Sequence, residues 1–179
     1  MLILIAGGSC SGKTTLAGKF ENSCVVSMDN FYLGKSRMKE PYNFDEPSSV
    51  NLDRLFDCVL DLKKGKSAVV PLYSMLESEP MGVEELQPQE IIIVEGIFVL
   101  LHKKLRELAD IKVFLEISAE ERLRRMIERD VVKGRNKEQT LQHAKTVEAM
   151  YKIYGEHQKH HADLILKETD SFTPSNILC

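Results

Sequence analysis

Short apolar runs alternate along this chain with segments of helical periodicity. Five runs are rich in β-branched residues and almost continuously apolar, at 2–6, 24–28, 91–94, 111–115 and 162–166. Uninterrupted apolarity is typical of parallel strands that are covered on both faces. The pattern therefore predicts an α/β fold built on a mostly parallel five-stranded sheet.

Helical segments lie between these runs. Apolar residues recur at helical spacing in four segments, at 14–20, 51–62, 118–131 and 138–159. The third segment opens with a capping box, in which Ser118 and Glu121 stand three residues apart. Helices that alternate with parallel strands cover both faces of the sheet, so we expect a three-layer sandwich.

Two segments interrupt the alternation. Residues 29–49 form a long polar stretch with four aromatic residues, and loops of this length in a compact domain are usually functional. Residues 67–87 predict a small β-hairpin, which we call the flap, with a turn near 80–82.

Length and charge limit the class of protein. The chain has 179 residues, 24 Lys+Arg and 27 Asp+Glu, with a formal net charge of −3. This length predicts one domain over 1–179, and the mild acidity argues against a nucleic acid or an anionic membrane as partner. The apolar runs are too short to span a membrane, so we expect a cytoplasmic protein.

Cysteine and histidine spacing gives little sign of a structural metal. The four cysteines, at 10, 24, 58 and 179, show no CxxC pair, which argues against a disulfide framework or a zinc site and suggests a reducing compartment. His157, His160 and His161 share a helical face, but no cysteine or carboxylate completes a ligand set, and a solvated face is the favoured interpretation.

A phosphate-binding motif follows the first predicted strand. Residues 7–14 read GGSCSGKT and match GxxxxGK[ST] between a strand and a helix, the context that a P-loop requires. The glycines allow successive backbone N–H groups to face phosphate oxygens, Lys13 bridges the outer phosphates and the Thr14 hydroxyl ligates Mg²⁺. The phosphate-binding residues are Gly7, Gly8, Ser9, Cys10, Ser11, Gly12, Lys13 and Thr14.

The remaining motifs favour a small-molecule phosphotransferase over other P-loop proteins. Asn136 and Lys137 are followed by Glu and Gln, so the guanine-reading NKxD motif of GTPases is not formed there. Asp29 follows strand 24–28, where a carboxylate can accept a substrate hydroxyl proton, although turn or cap roles are the alternative. Glu95 ends strand 91–94, where a Mg²⁺-supporting carboxylate belongs, or simply an acid before a turn.

Basic residues predict a helical lid over 129–136. Arg122, Arg125 and Arg129 share one face of the predicted helix, and Lys133 and Arg135 follow it. Such a row can close over phosphates and stabilise the charge that is transferred. The alternative is a solvated helix face with Glu121–Arg125 pairing.

Several of these segments together resemble the uridine/cytidine kinase family of P-loop kinases. The resemblance rests on five segments in matching order: residues 7–15, Ser-Met-Asp-Asn-Phe-Tyr at 27–32, Tyr-Asn-Phe-Asp-Glu-Pro at 42–47, Val-Glu-Gly-Ile at 94–97, and Arg-Asp with Lys-Gly-Arg at 129–135. It implies a P-loop kinase fold with a flap and a lid, and transfer of the γ-phosphoryl group of ATP or GTP, with Mg²⁺, to the 5′-hydroxyl of a pyrimidine nucleoside. Homo-oligomers occur in this family.

The resemblance also assigns residues. It implies catalytic roles for Asp29, Lys13 and Arg129, and extends the nucleotide site to Thr15, Arg129 and Arg135. Thr14 and Glu95 match the Mg²⁺-linked positions. The implied nucleoside-binding residues are Asp29, Tyr32, Asp45, Tyr73, Arg125 and His143.

The base-reading half of the chain departs from the family pattern. The family usually has a histidine after the position of Tyr73, whereas this chain reads Ser-Met-Leu-Glu-Ser-Glu at 74–79. The expected lid arginine is offset to Arg125, with Met126 at the matching position, and His143 stands where glutamine is common. A kinase of a related riboside such as nicotinamide riboside, and a non-catalytic nucleotide-binding regulatory module, are therefore the alternatives.

Overall fold

The computed structural model describes residues 1–170 and 172–178. The strands are β1 Leu2–Gly7, β2 Ser23–Ser27, β3 Ala68–Ser74, β4 Glu79–Leu86, β5 Ile91–Glu95, β6 Ile111–Glu116 and β7 Leu164–Lys167. The helices are α1 Lys13–Ala17, α2 Leu52–Lys63, α3 Lys103–Leu108, α4 Ala119–Val132, α5 Lys137–Met150 and α6 Ser175–Leu178.

The predicted five-stranded parallel sheet is confirmed. Its strand order is β2-β5-β1-β6-β7, and every pairing in it is parallel. Side chains of β1 alternate between two apolar clusters: Leu2 and Leu4 pack with α2 and α3, and Ile3 and Ile5 pack with α1 and α6. The sheet is therefore the middle layer of a three-layer sandwich, and its central strand is completely buried.

This topology places the candidate residues at the carboxyl ends of neighbouring strands. The chain runs from β1 out to β2 on one side, and from β5 across to β6 on the other side of β1. Register pairs Ser27 with Glu95 and Ile5 with Glu95, so β1, β2 and β5 end side by side. A crevice at the carboxyl ends of parallel strands, where the connections diverge, is the usual ligand site of such sheets.

The segment predicted as one helix over 138–159 is helical throughout, but it changes from one type of helix to another. Residues 137–150 are α-helical, Tyr151–Gly155 form a π turn and Glu156–His161 a 3₁₀ helix. Gly155 allows the close approach, because a Cβ there would lie 2.4 Å from the Tyr151 ring. The buried Gln158 side chain donates to the Ile97 carbonyl and accepts from the Leu100 amide, which anchors the last turn to the segment that follows β5.

The flap is a hairpin as predicted, but its predicted turn is wrong. Strands β3 and β4 pair antiparallel, and the turn lies at 75–78, where Ser78 has φ 54°. Pro80 and Gly82 lie inside β4, opposite Tyr73 and Leu72. Proline is tolerated there because β4 is an edge strand, which has backbone amides that face no partner strand.

Shorter elements differ modestly from the sequence pattern. The helix predicted over 14–20 ends at Ala17, and α3 was not predicted. The loop at 29–49 contains three 3₁₀ turns and is joined to the start of α2 by an isolated bridge between Tyr32 and Val50. Among the described residues, no helix is long and apolar enough to cross a membrane.

Candidate active site

Two glycines of the P-loop have backbone conformations that favour glycine, one where the loop leaves β1 and one directly before α1. Gly7 has φ 151° and Gly12 has φ 96°. A Cβ at Gly7 would lie 2.7 Å from the Ser11 hydroxyl and 2.8 Å from the Leu115 carbonyl, so only glycine fits at the point where the loop leaves the sheet. The loop curls back on itself through a hydrogen bond from the Ser11 amide to the Gly8 carbonyl, and α1 then begins at Lys13.

Lys13 lies within this loop instead of extending into solvent. Its side chain is buried, and its ammonium donates a 2.8 Å hydrogen bond to the Gly8 carbonyl. Burial lowers the pKa of Lys13, and the negative charges of Glu95 and Asp29 oppose that shift. A lysine between two carboxylates and a ring of amides is placed to meet the outer phosphates of a nucleotide.

Asp29 lies on the 3₁₀ turn Met28–Phe31, directly after β2. Burial, followed by the nearby charge of Glu95, raises the pKa of Asp29 to about 6, and the cations Lys13 and Arg129 act in the opposite direction. A carboxylate with a raised pKa at a cavity wall suits general-base chemistry near neutral pH.

Glu95 is fixed at the end of β5. It is 3% exposed and accepts a 2.7 Å hydrogen bond from the Ser27 hydroxyl on the neighbouring strand. Thr14, at the start of α1, is exposed. A carboxylate and a hydroxyl oxygen are the ligand types that Mg²⁺ takes beside nucleotide phosphates, with water completing its shell. The negative charges of the buried Glu95 and the partly buried Asp29 also fit a divalent cation.

A cavity of about 600 Å³ opens beside the P-loop at Ser9 and holds Asp29 in its wall. Aromatic rings form one end of this cavity: Tyr32 lies 5.6 Å from Tyr73 between ring centroids and 5.9 Å from Phe44, edge-on at 77°. These rings come from the long loop and the flap. The structure thus brings together Asp29, Tyr32 and Tyr73, which are distant in sequence.

Asp45 and His143 face the same cavity from the long loop and from α5. Burial raises the pKa of Asp45, and His143 opposes the shift. The Asp45 amide donates to the Asn43 side-chain oxygen at 3.1 Å, a local turn that fixes the carboxylate-bearing residue. A partly buried acid in the same cavity as aromatic rings can accept hydrogen bonds from a polyhydroxylated ligand.

The lid contributes cations to the same cavity. Arg129, Lys133 and Arg135 all line the cavity that holds Asp29. The two arginines share one buried carboxylate, Asp130, which had no assigned role in the sequence pattern. In the sequence it stands within the Arg-Asp piece of the family resemblance, and it lies four residues after the buried Met126 and eight after the buried Arg122.

The predicted row of three arginines divides in the structure. Arg122 is 4% exposed, pairs with Glu148 at 2.7 Å and lies 4.1 Å from the Tyr151 ring centroid, packed against Gly8. Arg122 packs against Gly8 of the P-loop and is buried, so it does not share an open face of α4 with Arg129.

Arg125 does not line the cavity that holds Asp29. Its guanidinium pairs with Glu121 at 2.6 Å and donates to the Ser11 carbonyl at 3.4 Å. It lines a separate cavity of about 420 Å³ with Gly12, Thr15 and Phe172. Arg125 was predicted to bind the nucleoside, but the structure places it with Thr15, apart from the cavity lined by the other five residues of that prediction.

Cys10, Cys24 and Cys58 are free thiols, and Cys179 lies outside the described residues. No group of three or more His, Cys, Asp or Glu side chains in the described ranges could hold a metal ion. The histidines at 157–161 therefore form no such group.

The sheet, the phosphate-binding loop and the cationic lid define the class of protein as a P-loop kinase. A family model described as "Phosphoribulokinase / Uridine kinase family" matches residues 2–172, and the chain belongs to this family.

Known proteins agree with that assignment. The chain is 35% identical to a uridine kinase of Mycoplasma genitalium, over 93% of this chain and 84% of the relative. It is 33% identical to uridine-cytidine kinase A of Dictyostelium discoideum, over 99% of this chain but only 38% of that longer relative. Phosphoribulokinase from Rhodobacter spheroides has a similar fold, with a TM-score of 0.69 at 13% identity, over 93% of this chain and 69% of that one.

Proposed function

We propose that this kinase transfers the γ-phosphoryl group of ATP or GTP to the 5′-hydroxyl of a pyrimidine nucleoside, uridine or cytidine, and releases the nucleoside monophosphate. The observation that carries the proposal is the single cavity that joins Asp29, an aromatic acceptor end and the lid arginines beside the P-loop. The relatives named uridine kinase and uridine-cytidine kinase support the choice of acceptor.

The acceptor end suits a nucleoside. Tyr32, Phe44 and Tyr73 offer ring edges and faces to a base, and Asp45 offers a carboxylate to the ribose hydroxyls. His143 faces Asp45 from α5 and closes this end of the cavity. A buried hydrogen bond to an ionised group contributes about 1.5–3 kcal/mol, so the ribose contacts supply a large part of the acceptor affinity.

Asp29 is the proposed general base. Its raised pKa of about 6 leaves it ionised at neutral pH and basic enough to accept the 5′-hydroxyl proton as the oxygen attacks the γ-phosphorus. The bond to the leaving nucleoside diphosphate breaks as the new P–O bond forms, in line. Lys13, Arg129 and Arg135 balance the charge on the phosphoryl oxygens during transfer.

The donor lies along the P-loop in this proposal. Residues 7–15 cradle the phosphates, and the cavity beside Gly12, Thr15 and Arg125 has room for the rest of the nucleotide. Thr14 and Glu95 would hold Mg²⁺, which supplies electrostatic neutralisation of the phosphate oxygens when it is bound.

A panel of ribosides tests the proposal. We would incubate the protein with ATP or GTP and Mg²⁺ and with uridine, cytidine, adenosine, guanosine or nicotinamide riboside, and separate the products by chromatography. We expect monophosphates of uridine and cytidine to form at the highest kcat/KM. If only nicotinamide riboside were phosphorylated, it would be the acceptor in place of uridine and cytidine. If no riboside were phosphorylated, the proposal would be overturned.

A further inference from the structure

A buried carboxylate lies behind the two arginines of the lid. Asp130 is 0% exposed, and its Oδ1 accepts a hydrogen bond from the Arg129 Nε at 2.9 Å. Its Oδ2 accepts one from Arg135 at 3.3 Å. The arginine side chains remain 40% and 52% exposed, and both line the cavity that holds Asp29.

The same carboxylate joins the lid to α5. The Thr140 hydroxyl donates to Asp130 Oδ2 at 3.3 Å and also lies 3.2 Å from the Asn136 carbonyl. The Arg135 amide donates to the Asp130 carbonyl at 2.9 Å, so the backbone of the lid folds around this residue as well. The end of α4, the connecting loop and the start of α5 therefore meet at one side chain.

The electrostatics favour an ionised Asp130. Burial alone would raise the pKa of this carboxyl, but the hydrogen bonds and charges of Arg129 and Arg135, with the Thr140 hydroxyl, outweigh burial and lower it. A guanidinium carries five N–H donors in a fixed fork. Each arginine therefore engages Asp130 and still has donors left for phosphate oxygens in the cavity.

We infer that Asp130 is a positioning residue for phosphoryl transfer, which fixes the spacing and direction of Arg129 and Arg135 before the donor and acceptor bind. The inference rests on the proposed function. Preorganised charge stabilises a transition state because no reorganisation is needed at the moment of reaction. The opposite possibility, that Asp130 holds the arginines away from the phosphates, predicts the opposite effect of its removal.

The test compares Asp130→Asn with Glu128→Gln in steady-state uridine phosphorylation. Glu128 is a matched control, because it is an exposed carboxylate on the same helix that pairs with Arg124, outside the cavity. We expect Asp130→Asn to lower kcat about 10- to 100-fold, since small misplacements of charged groups have effects of this order. The KM for the nucleoside should stay within about twofold, and Glu128→Gln should behave like the wild type.

A double-mutant cycle separates positioning from a structural role. In an Arg129→Ala/Arg135→Ala background, Asp130→Asn should lower kcat no further, because the groups through which it acts are gone. An equal loss in both backgrounds would overturn the inference, as would an unchanged or higher kcat for Asp130→Asn alone.

A second variant covers a failure of Asp130→Asn to fold. Thr140→Val removes one hydrogen bond to Asp130 with little change in volume, and we expect a several-fold lower kcat that again disappears in the arginine-free background. A kcat like that of the wild type for Thr140→Val would then contradict the inference. A wild-type protein that phosphorylates no riboside would instead contradict the proposed function.

Discussion

The Ser27 hydroxyl donates a 2.7 Å hydrogen bond to the Glu95 carboxylate, and so joins β2 to β5 at their carboxyl ends. The two residues are partners in the parallel register: Ser27 stands two residues before Asp29, and Glu95 is also the partner of Ile5 in β1. This contact fixes the direction of a buried acid that we propose to hold Mg²⁺.

Loss of this contact should weaken the use of Mg²⁺. Groups that orient metal ligands typically contribute 10- to 100-fold to metal affinity or activity. We therefore expect Ser27→Ala to raise the Mg²⁺ concentration for half-maximal turnover about tenfold. Ser23→Ala is the matched control, because that hydroxyl bonds to the Phe20 carbonyl at the other end of the same strand. The same Mg²⁺ dependence in both variants would contradict this role.

Removal of the proposed base should stop chemistry and spare nucleotide binding. Asp29→Asn keeps the size of the side chain but cannot accept the hydroxyl proton, so we expect kcat to fall about 10²- to 10⁴-fold. Calorimetric affinity for ADP should change less than about threefold. Asp53→Asn is the control, since Asp53 pairs with His102 at an exposed position on α2. Turnover like that of the wild type in Asp29→Asn would rule out the assignment.

The pH profile should report the same group. The pKa of Asp29 is raised to about 6, so the ionised form that accepts a proton is lost as the pH falls through that value. We expect kcat/KM to be flat above pH 7 and to fall about tenfold per pH unit below 6. The residual activity of Asp29→Asn should lack this acidic limb, and an acidic limb common to both proteins would assign it to another group.

The ribose contact has its own test. Asp45→Asn should raise the KM for uridine by about 10-fold or more, because a hydrogen bond to an ionised group contributes about 1.5–3 kcal/mol. A nucleoside without the 2′-hydroxyl, 2′-deoxyuridine, should lose affinity with the wild type and much less with the variant. Equal discrimination between the two nucleosides in both proteins would show that Asp45 does not contact the ribose.

Arg122 should matter for stability. It is buried with its charge against Glu148 and its guanidinium over Tyr151, so Arg122→Ala leaves a partly buried acid unpaired. We expect the free energy of unfolding in urea to fall by roughly 2–3 kcal/mol, below the full range for a buried pair because Glu148 is partly exposed. Arg124→Ala, at an exposed position, should change it by less than about 0.5 kcal/mol. Similar values for the two variants would contradict this account.

The sheet could be predicted from sequence because its signal is local. Continuous apolar runs such as 2–6 mark strands buried on both faces, and β1 is buried over its whole length. The order of the strands and the register of Ser27 with Glu95 depend on pairing between distant segments, which no local pattern encodes. The predicted position of the turn in the flap was wrong for a related reason. Pro80 and Gly82 are usual turn residues, but here they lie in an edge strand.

The candidate site could be predicted only in part. The P-loop is contiguous in sequence, so its residues and its place after β1 follow from the motif alone. Helical spacing placed Arg122 with Arg125 and Arg129, but spacing gives the face of a helix and not which neighbours cover it. Glu148 and Tyr151, from a segment further along the chain, bury Arg122. No role could be predicted for Asp130, because the burial of an acid depends on partners that fold around it.

Nucleoside-dependent release of ADP, compared between uridine and 5′-deoxyuridine, tests the central claim most directly. With uridine we expect one ADP for each uridine 5′-monophosphate formed. With 5′-deoxyuridine, which lacks the accepting hydroxyl, we expect competition against uridine and no nucleotide product. ADP release that is independent of any nucleoside, or a phosphorylated product from 5′-deoxyuridine, would contradict transfer to the 5′-hydroxyl.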